Sequence, residues 1–188
     1  MVRWEADAGG RLREAAMQLY VERGFEQTTV AEIAARAGLT ARTFFRHFAD
    51  KREVLFAGSA DLEAHLVQAL EAAPHPATPM QAVAAALDAA ATALGQHHER
   101  SRLRQSVINA NPDLRERELI KLASLGAALS DALRRRGVPD PDASLAAEAG
   151  IVVLRIAFER WLSDPPGPDL SAHMHAALDR LKTVTTDD

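Results

Sequence analysis

Apolar side chains recur along the chain at steps of three and four. The breaks between runs carry capping residues, prolines and glycines in the order that helix ends require. Leu12, Ala15, Ala16, Leu19 and Tyr20 form one face of a first predicted helix that stops at Gly24. Thr29 with Glu32 three residues on reads as a capping box opening a short second helix that ends near Gly38. Thr40 can cap a third, which carries Arg42, Thr43, Phe44, Phe45 and His47. Asp50 with Glu53 repeats the capping-box spacing and predicts a fourth, running through Val54, Leu55, Leu62, Leu66 and Leu70 to the prolines 74, 76 and 79. Thr78 and Pro79 suit the cap and first turn of a fifth helix reaching Gly95, and a sixth spans about His98 to Asn109. Asn111 with Pro112 starts a seventh that ends at Gly137, and Asp140 with Pro141 opens an eighth ending near Ser163. After a break at Pro165, Pro166, Gly167 and Pro168, a ninth covers Leu170 to about Thr183. No stretch combines β-branched residues with period-two alternation, so the expected fold class is all-α.

Composition narrows the function classes. The 188 residues are 47% hydrophobic and 26% charged, enough for one or two cores. The absence of cysteine excludes disulfides and thiolate metal sites. No apolar run reaches the roughly 18 residues a membrane span needs, and residues 1–7 lack the apolar stretch of a signal peptide, so a cytoplasmic location is expected. The net charge is -4, with residues 1–58 close to neutral and the acidity in the remainder, so a nucleic-acid site must be local. Five of the six phenylalanines precede residue 57, while alanine dominates afterwards, which predicts two differently built parts divided as 1–50 and 51–188.

The sharpest local pattern is the pair of short helices around Gly38, the spacing of a helix-turn-helix. Ala31, Ile33, Ala34 and Ala37 are small or apolar where two helices must cross closely, and Phe44 and Phe48, spaced i, i+4, are expected to anchor the third helix to the first through Leu19 and Phe25. Thr40, Ala41, Arg42, Thr43, Phe45, Arg46 and His47 are left for the groove-facing side. A DNA major groove, about 12 Å wide, admits one helix, on which an arginine can pair with both acceptors of guanine. Arg42 is the leading base reader, Thr40 at a helix N-terminus suits a phosphate, and Lys51 adds a positive charge nearby. Short helices about a glycine also occur in helical proteins that never meet DNA, where the same arginines form a solvated face.

Residues 11–56, RLREAAMQLYVERGFEQTTVAEIAARAGLTARTFFRHFADKREVLF, resemble the DNA-binding region of TetR-family transcriptional regulators, with GF, TTV, IA and AG elements and the Phe48–Lys51 spacing of that family. The resemblance implies a nine-helix fold, a homodimer reading a pseudo-palindromic operator, and a small-molecule pocket in the larger domain that controls release. It puts Thr40, Ala41, Arg42, Thr43, Phe45, His47 and Lys51 at the DNA surface, with Thr29 and Arg46 as further candidates. Where many relatives have a tyrosine whose hydroxyl donates to phosphate, this chain has Phe45, which suits sugar or a thymine methyl instead. The resemblance further implies that ligand binding moves helix four, carrying Lys51, and so changes a recognition-helix separation of roughly 34–36 Å.

Helices four to eight are the family's pocket wall. The candidates there are Leu62, Leu66, Leu87, Leu94, Val107, Ile108, Leu122, Leu125, Phe158 and Trp161, with Arg104, Gln105 and Asn109 as polar contacts. Beyond residue 57 only Phe158 and Trp161 are aromatic, which disfavours flat cationic dyes and suits an aliphatic effector. The later sequence, NPDLRERELIKLASLGAALSDALRRRG and FERWL, also resembles TetR regulators of which some respond to acyl-coenzyme A, making a fatty acid or acyl-CoA the expected effector. For dimerisation, Ala146, Ala149, Gly150, Val153, Ile156 and Ala157 offer a small-residue face and Leu170, Met174, Ala177, Leu178 and Leu181 an apolar one, from which two copies could build a four-helix interface. The same faces could equally pack within one subunit.

Enzyme signatures are missing. HExxH, GxGxxG, a phosphate-binding glycine loop and the paired Glu-x-x-His of metal bundles do not occur. His97 and His98 are adjacent and point about 100° apart on a helix, and His173 and His175 are no better placed for a metal. Neither catalysis nor a cofactor is expected. A helical adaptor that binds another protein is the competing class, although it leaves the basic and hydroxyl residues of the third helix without a role.

Overall fold

The computed structural model describes residues 7–165 and 169–186. Among the described residues it contains nine helices and no strand: α1 (Ala8–Arg23), α2 (Val30–Arg36), α3 (Ala41–His47), α4 (Ser59–Glu71), α5 (Pro79–Leu94), α6 (His98–Asn109), α7 (Pro112–Arg135), α8 (Asp140–Ser163) and α9 (Leu170–Thr185). The N-terminal residues 1–6 and the proline-rich break at 166–168 lie outside the described residues. No described helix is long and apolar enough to cross a membrane.

Local chemistry sets most of the ends. The expected face of α1 is the one it buries. Thr29 and Glu32 form the full capping box, with Glu32 N–H donating to Thr29 Oγ1 (3.2 Å) and Thr29 N–H to Glu32 Oε2 (2.9 Å). Thr78 and Gln81 repeat it at α5. At the end of α2, Leu39 N–H bonds to Ala34 O (2.8 Å) and Gly38 N–H to Ala35 O (3.0 Å). This paired closure requires a left-handed residue, supplied by Gly38 at φ +66.

The fourth helix differs from expectation. Asp50 does accept from the backbone N–H of Arg52 (2.7 Å) and Glu53 (3.1 Å), but residues 51–58 form turns, and α4 begins only at Ser59. Two causes are visible. The Glu53 carboxylate accepts from Arg117 Nε (2.7 Å), which draws it toward α7, and Gly58 at φ +87 interrupts the helical path. Lys51, Val54 and Leu55 therefore precede α4 and do not ride on it.

The chain divides into two compact units, and not at residue 50. The first unit takes residues to Ala57 together with Arg102–Glu118, and the second takes Gly58–Ser101 and everything from Leu119. The first owes this make-up to its core, where Leu12, Leu19, Ile33, Phe44 and Val54 to Phe56 are packed together with Val107, Ile108 and Leu114 from the ends of α6 and α7. The second is an aliphatic core in which α5 packs on α4, α8 and α9, joined by Leu125, Leu129, Ala132 and Leu133 of α7.

Candidate nucleic-acid interface

The first unit presents α3 as a short, anchored helix. Phe44 is fully buried and its ring meets those of Phe45 and Phe48, each at 5.5 Å between centroids. Burial of one phenylalanine contributes about 1.5–3 kcal/mol, which fixes the rotation of so short a helix. Rotation fixed by Phe44 turns Ala41, Arg42, Phe45 and Arg46 to solvent together with His47. Phe45 is 58% exposed, a large apolar group left uncovered in the middle of a basic face.

Hydroxyls at the helix starts are already engaged. Thr40 Oγ1 accepts from Thr43 N–H (3.2 Å) and lies 3.1 Å from Thr43 Oγ1, capping α3. Thr29 Oγ1 donates to Glu32 Oε2 at 2.8 Å. These residues set the direction of α2 and α3 from exposed positions.

The distribution of ion pairs separates the arginines into two groups, a signal that residue type alone does not carry. Arg36 makes a two-pronged pair with Glu22 (3.0 and 2.9 Å), Arg23 pairs with Glu32 (3.0 Å) and Arg52 with Asp50 (2.9 Å). The Arg36 hydrogen bonds hold the Glu22 carboxyl below its usual range. Arg42 and Arg46 have no carboxylate partner within salt-bridge distance among the described residues. Exposed pairs add little stability, about 0–1 kcal/mol each, but they neutralise Arg23, Arg36 and Arg52 while Arg42 and Arg46 on the outward face of α3 keep their charge uncompensated.

Lys51 departs from expectation. Its ammonium donates to the carbonyls of Phe25 (2.8 Å), Thr28 (3.1 Å) and Glu26 (3.3 Å), so its three hydrogens have three acceptors inside the protein.

The expected pocket set is not brought together. Leu66, Leu87, Leu125 and Trp161 are buried in the second unit, with Leu62, Leu94, Leu122 and Phe158 packed against them. Val107 and Ile108 instead belong to the first unit's core, because α6 passes from one unit to the other between Ser101 and Arg102. Arg104, Gln105 and Asn109 share that unit and hydrogen-bond within it. Arg104 Nε donates to Leu55 O (2.6 Å), its guanidinium lies 5.2 Å from the Phe56 ring centre, and Glu118 is 3.7 Å away. Burial lowers the Arg104 pKa, and the Glu118 charge offsets part of that. Gln105 Nε2 donates to Glu118 (3.0 Å) and Asn109 (3.1 Å). Sequence reasoning missed the Glu53–Arg117 and Leu55–Arg104 links because their partners lie 64 and 49 positions apart.

The small-residue face expected at a dimer interface is covered within the chain. Ala146, Gly150, Val153, Ala157, Leu170, Met174 and Leu178 are all buried in the single chain, because α8 and α9 pack on α5 and on each other. Ala149, Ala177 and Leu181 are half-buried. The uncovered apolar stripe on α8 is instead Leu145 (71% exposed), Val152 (40%) and Ile156 (37%), at i, i+7 and i+11, with Ala149 between. Of the expected α8 set, Ile156 lies on that stripe. His173 is also less exposed than a surface histidine: its Nε2 lies 3.1 Å from Asp164 and its Nδ1 2.9 Å from Asp169 O. No cluster of three metal-ligating side chains occurs among the described residues.

Comparison with known proteins gives two family matches. Residues 12–57 match the family described as bacterial regulatory proteins, tetR family, and residues 77–186 match the MftR C-terminal domain. Among curated relatives, the chain is 38% identical over 79 residues to the HTH-type transcriptional regulator TcmR of Streptomyces glaucescens, covering 42% of this chain and 35% of that one. The chain thus spans about a third of the length of that relative. It is 28% identical over 175 residues to MftR of Mycobacterium tuberculosis, covering 89% of this chain and 86% of the relative. Among solved structures, FadR of Thermus thermophilus, a TetR-family repressor in complex with lauroyl-CoA, is 25% identical with a TM-score of 0.58 over 96% of both chains. The efflux-pump repressor SmeT of Stenotrophomonas maltophilia is 24% identical with a TM-score of 0.60, covering 96% of this chain and 91% of that one, and shares the fold.

Proposed function

The chain belongs to the TetR family of bacterial regulatory proteins, and from that premise we propose that it is a homodimeric repressor released from a palindromic operator by a largely aliphatic effector. The observation that carries the DNA-binding reading is the outward face of α3, where Arg42 and Arg46 stand without carboxylate partners while buried Phe44 fixes the helix behind them. Arg42, on the first turn, is the base reader. Phe45 supplies apolar contact to sugar or a thymine methyl, and Thr29, Thr40, Ala41, Thr43 and His47 border the contact. The stripe Leu145–Val152–Ile156 is the self-complementary patch about which two copies meet.

Support for an acyl-chain effector comes from the aliphatic core of the second unit and from the similarity to the lauroyl-CoA-bound FadR of Thermus thermophilus. Release runs through Arg102–Glu118. That segment is continuous with the second unit at both ends, yet Val107, Ile108 and Leu114 are built into the first unit's core. Arg104 and Arg117 grip Leu55 and Glu53 just before Gly58, so a shift of α6 or α7 is delivered to the base of the DNA-binding motif. The effector must favour one arrangement by differential affinity, since equal binding to both shifts nothing.

The test is affinity of Arg42→Ala for operator and random duplexes at fixed salt. Loss of one bidentate base contact costs about 1–3 kcal/mol on operator and relaxes one position. Equal losses on both duplexes would contradict the assignment. Dissociation of the operator complex by lauroyl-CoA, and not by coenzyme A alone, tests the effector class.

A further inference from the structure

Lys51 follows α3 by four residues, while its ammonium reaches back to the loop that precedes α2. Phe25, Glu26 and Thr28 turn their carbonyls toward one point because the chain reverses there, with Thr28 N–H on Phe25 O (3.2 Å) and Thr28 Oγ1 donating to Gly24 O (2.8 Å). The ammonium fills that point and sits 4.3 Å from the centre of the buried Phe25 ring, which adds a cation–π contact. Lys51 is itself held in place. Its carbonyl accepts from the buried Tyr20 hydroxyl at 2.6 Å, and the turn it occupies is capped by Asp50. Burial and the Asp50 charge raise the Tyr20 pKa, so the phenol stays a donor throughout the working range of pH.

We infer that Lys51 is a positioning residue for DNA recognition, a clasp joining the loop at Phe25–Thr28 to the end of α3 and so closing the helix-turn-helix into one body. The inference rests on the DNA-binding reading above. Everything between the two ends of the clasp is the motif itself: the Thr29 cap, α2, the Gly38 turn, and α3 with Arg42. Removing the clasp lets the motif's base open, and Arg42 loses its aim although it is untouched. A lysine that served a phosphate would have to give up at least one of three internal hydrogen bonds to do so.

Two roles for Lys51 predict different salt behaviour. A phosphate contact contributes close to one unit to the slope of log affinity against log salt, and its loss weakens all sequences alike. A clasp contributes nothing to that slope, and its loss falls on the selected sequence. The experiment compares wild type, Lys51→Met and Lys51→Arg on a selected duplex and a random duplex across a salt series, at a temperature where circular dichroism shows all three folded. Lys51→Met is expected to keep the wild-type slope and to lose about tenfold in the ratio of selected to random affinity, the order of one misplaced base contact. Lys51→Arg, whose planar fork cannot place three donors on converging carbonyls, is expected not to restore it. A slope reduced by about one, with the ratio unchanged and rescue by Lys51→Arg, overturns the inference and leaves the DNA-binding reading intact. A lowered melting temperature with both slope and ratio unchanged makes Lys51 merely structural and overturns it too. Absence of any duplex binding by wild type overturns both. Should Lys51→Met fail to fold, nitrogen-15 spectra of the wild-type lysine ammonium groups serve instead. A protected Lys51 signal that stays in place when the duplex is added supports the clasp, and one that moves into contact with phosphate refutes it.

Discussion

Gly150 gives a prediction whose sign depends on which of two opposed effects wins. On α8 a Cβ at this position would come 2.6 Å from Cγ1 of Val83 on α5, about 1 Å inside an ordinary carbon–carbon contact. Val83 is fully buried and β-branched, with essentially one rotamer open to it in a helix, so it cannot swing aside. Gly150→Ala gains about 1 kcal/mol of helix propensity and pays about 1–3 kcal/mol for overpacking, a net loss of about 0–2 kcal/mol. In a Val83→Ala background the obstructing methyl is gone and only the propensity gain remains, so the same substitution is expected to stabilise by about 1 kcal/mol. The coupling energy of the cycle is then about 1–3 kcal/mol, with opposite signs for Gly150→Ala in the two backgrounds. Denaturant unfolding of the four proteins at several protein concentrations measures it, because a contact within one chain gives a coupling that does not vary with concentration. An equal effect in both backgrounds, or a coupling that grows with protein concentration, refutes the reasoning and returns Gly150 to a subunit interface.

Three further outcomes follow from the same geometry. Val152→Glu with Ile156→Glu places charges on the uncovered α8 stripe, and light scattering is expected to find monomers of unchanged helicity that no longer hold operator DNA. Thr29→Ala removes the hydroxyl half of the α2 capping box, leaving the backbone N–H on Glu32 Oε2, and is expected to cost about 1 kcal/mol in denaturant unfolding, while Thr29→Ser keeps most of it. Burial raises the Asp50 pKa, but hydrogen bonds from the Arg52 guanidinium and the backbone N–H groups of Glu53 and Arg52 outweigh it, and the carboxyl titrates below its usual range. A depressed pKa in the folded state contributes stability that is fully present at neutral pH and lost as pH falls from the ordinary carboxylate range through the lower folded value. Asp50→Asn is expected to flatten that acid limb in thermal unfolding followed against pH.

Features that depend on neighbours in the chain were legible from residues alone. The periodicity of α1, the capping box at Thr29, the Thr78 cap, the Gly38 turn and the i, i+4 pair Phe44–Phe48 each involve residues within a few positions of one another. The Asp50–Glu53 pair shows where this stops: its spacing matches Thr29–Glu32, yet Arg117 captures the glutamate from 64 positions away and no helix forms. Arg104 and Lys51 changed role for the same reason, since a cation that looks free in sequence can be claimed by distant carbonyls. The phase of α8 was hidden by composition. Alanine, glycine and valine occur all around that helix, so its buried side and the exposed stripe of Leu145, Val152 and Ile156 look alike until α5 and α9 are seen to cover one of them.

In the proposed function, the exposed face of α3 reads a DNA sequence as one of a symmetric pair. Selection of bound sequences from a random duplex library by the purified chain tests this most directly. Enrichment of a palindrome whose half-site centres lie about one helical turn, or a multiple of it, apart is expected. Recovery of unenriched sequence at low salt, where even weak phosphate contacts suffice for binding, would contradict it.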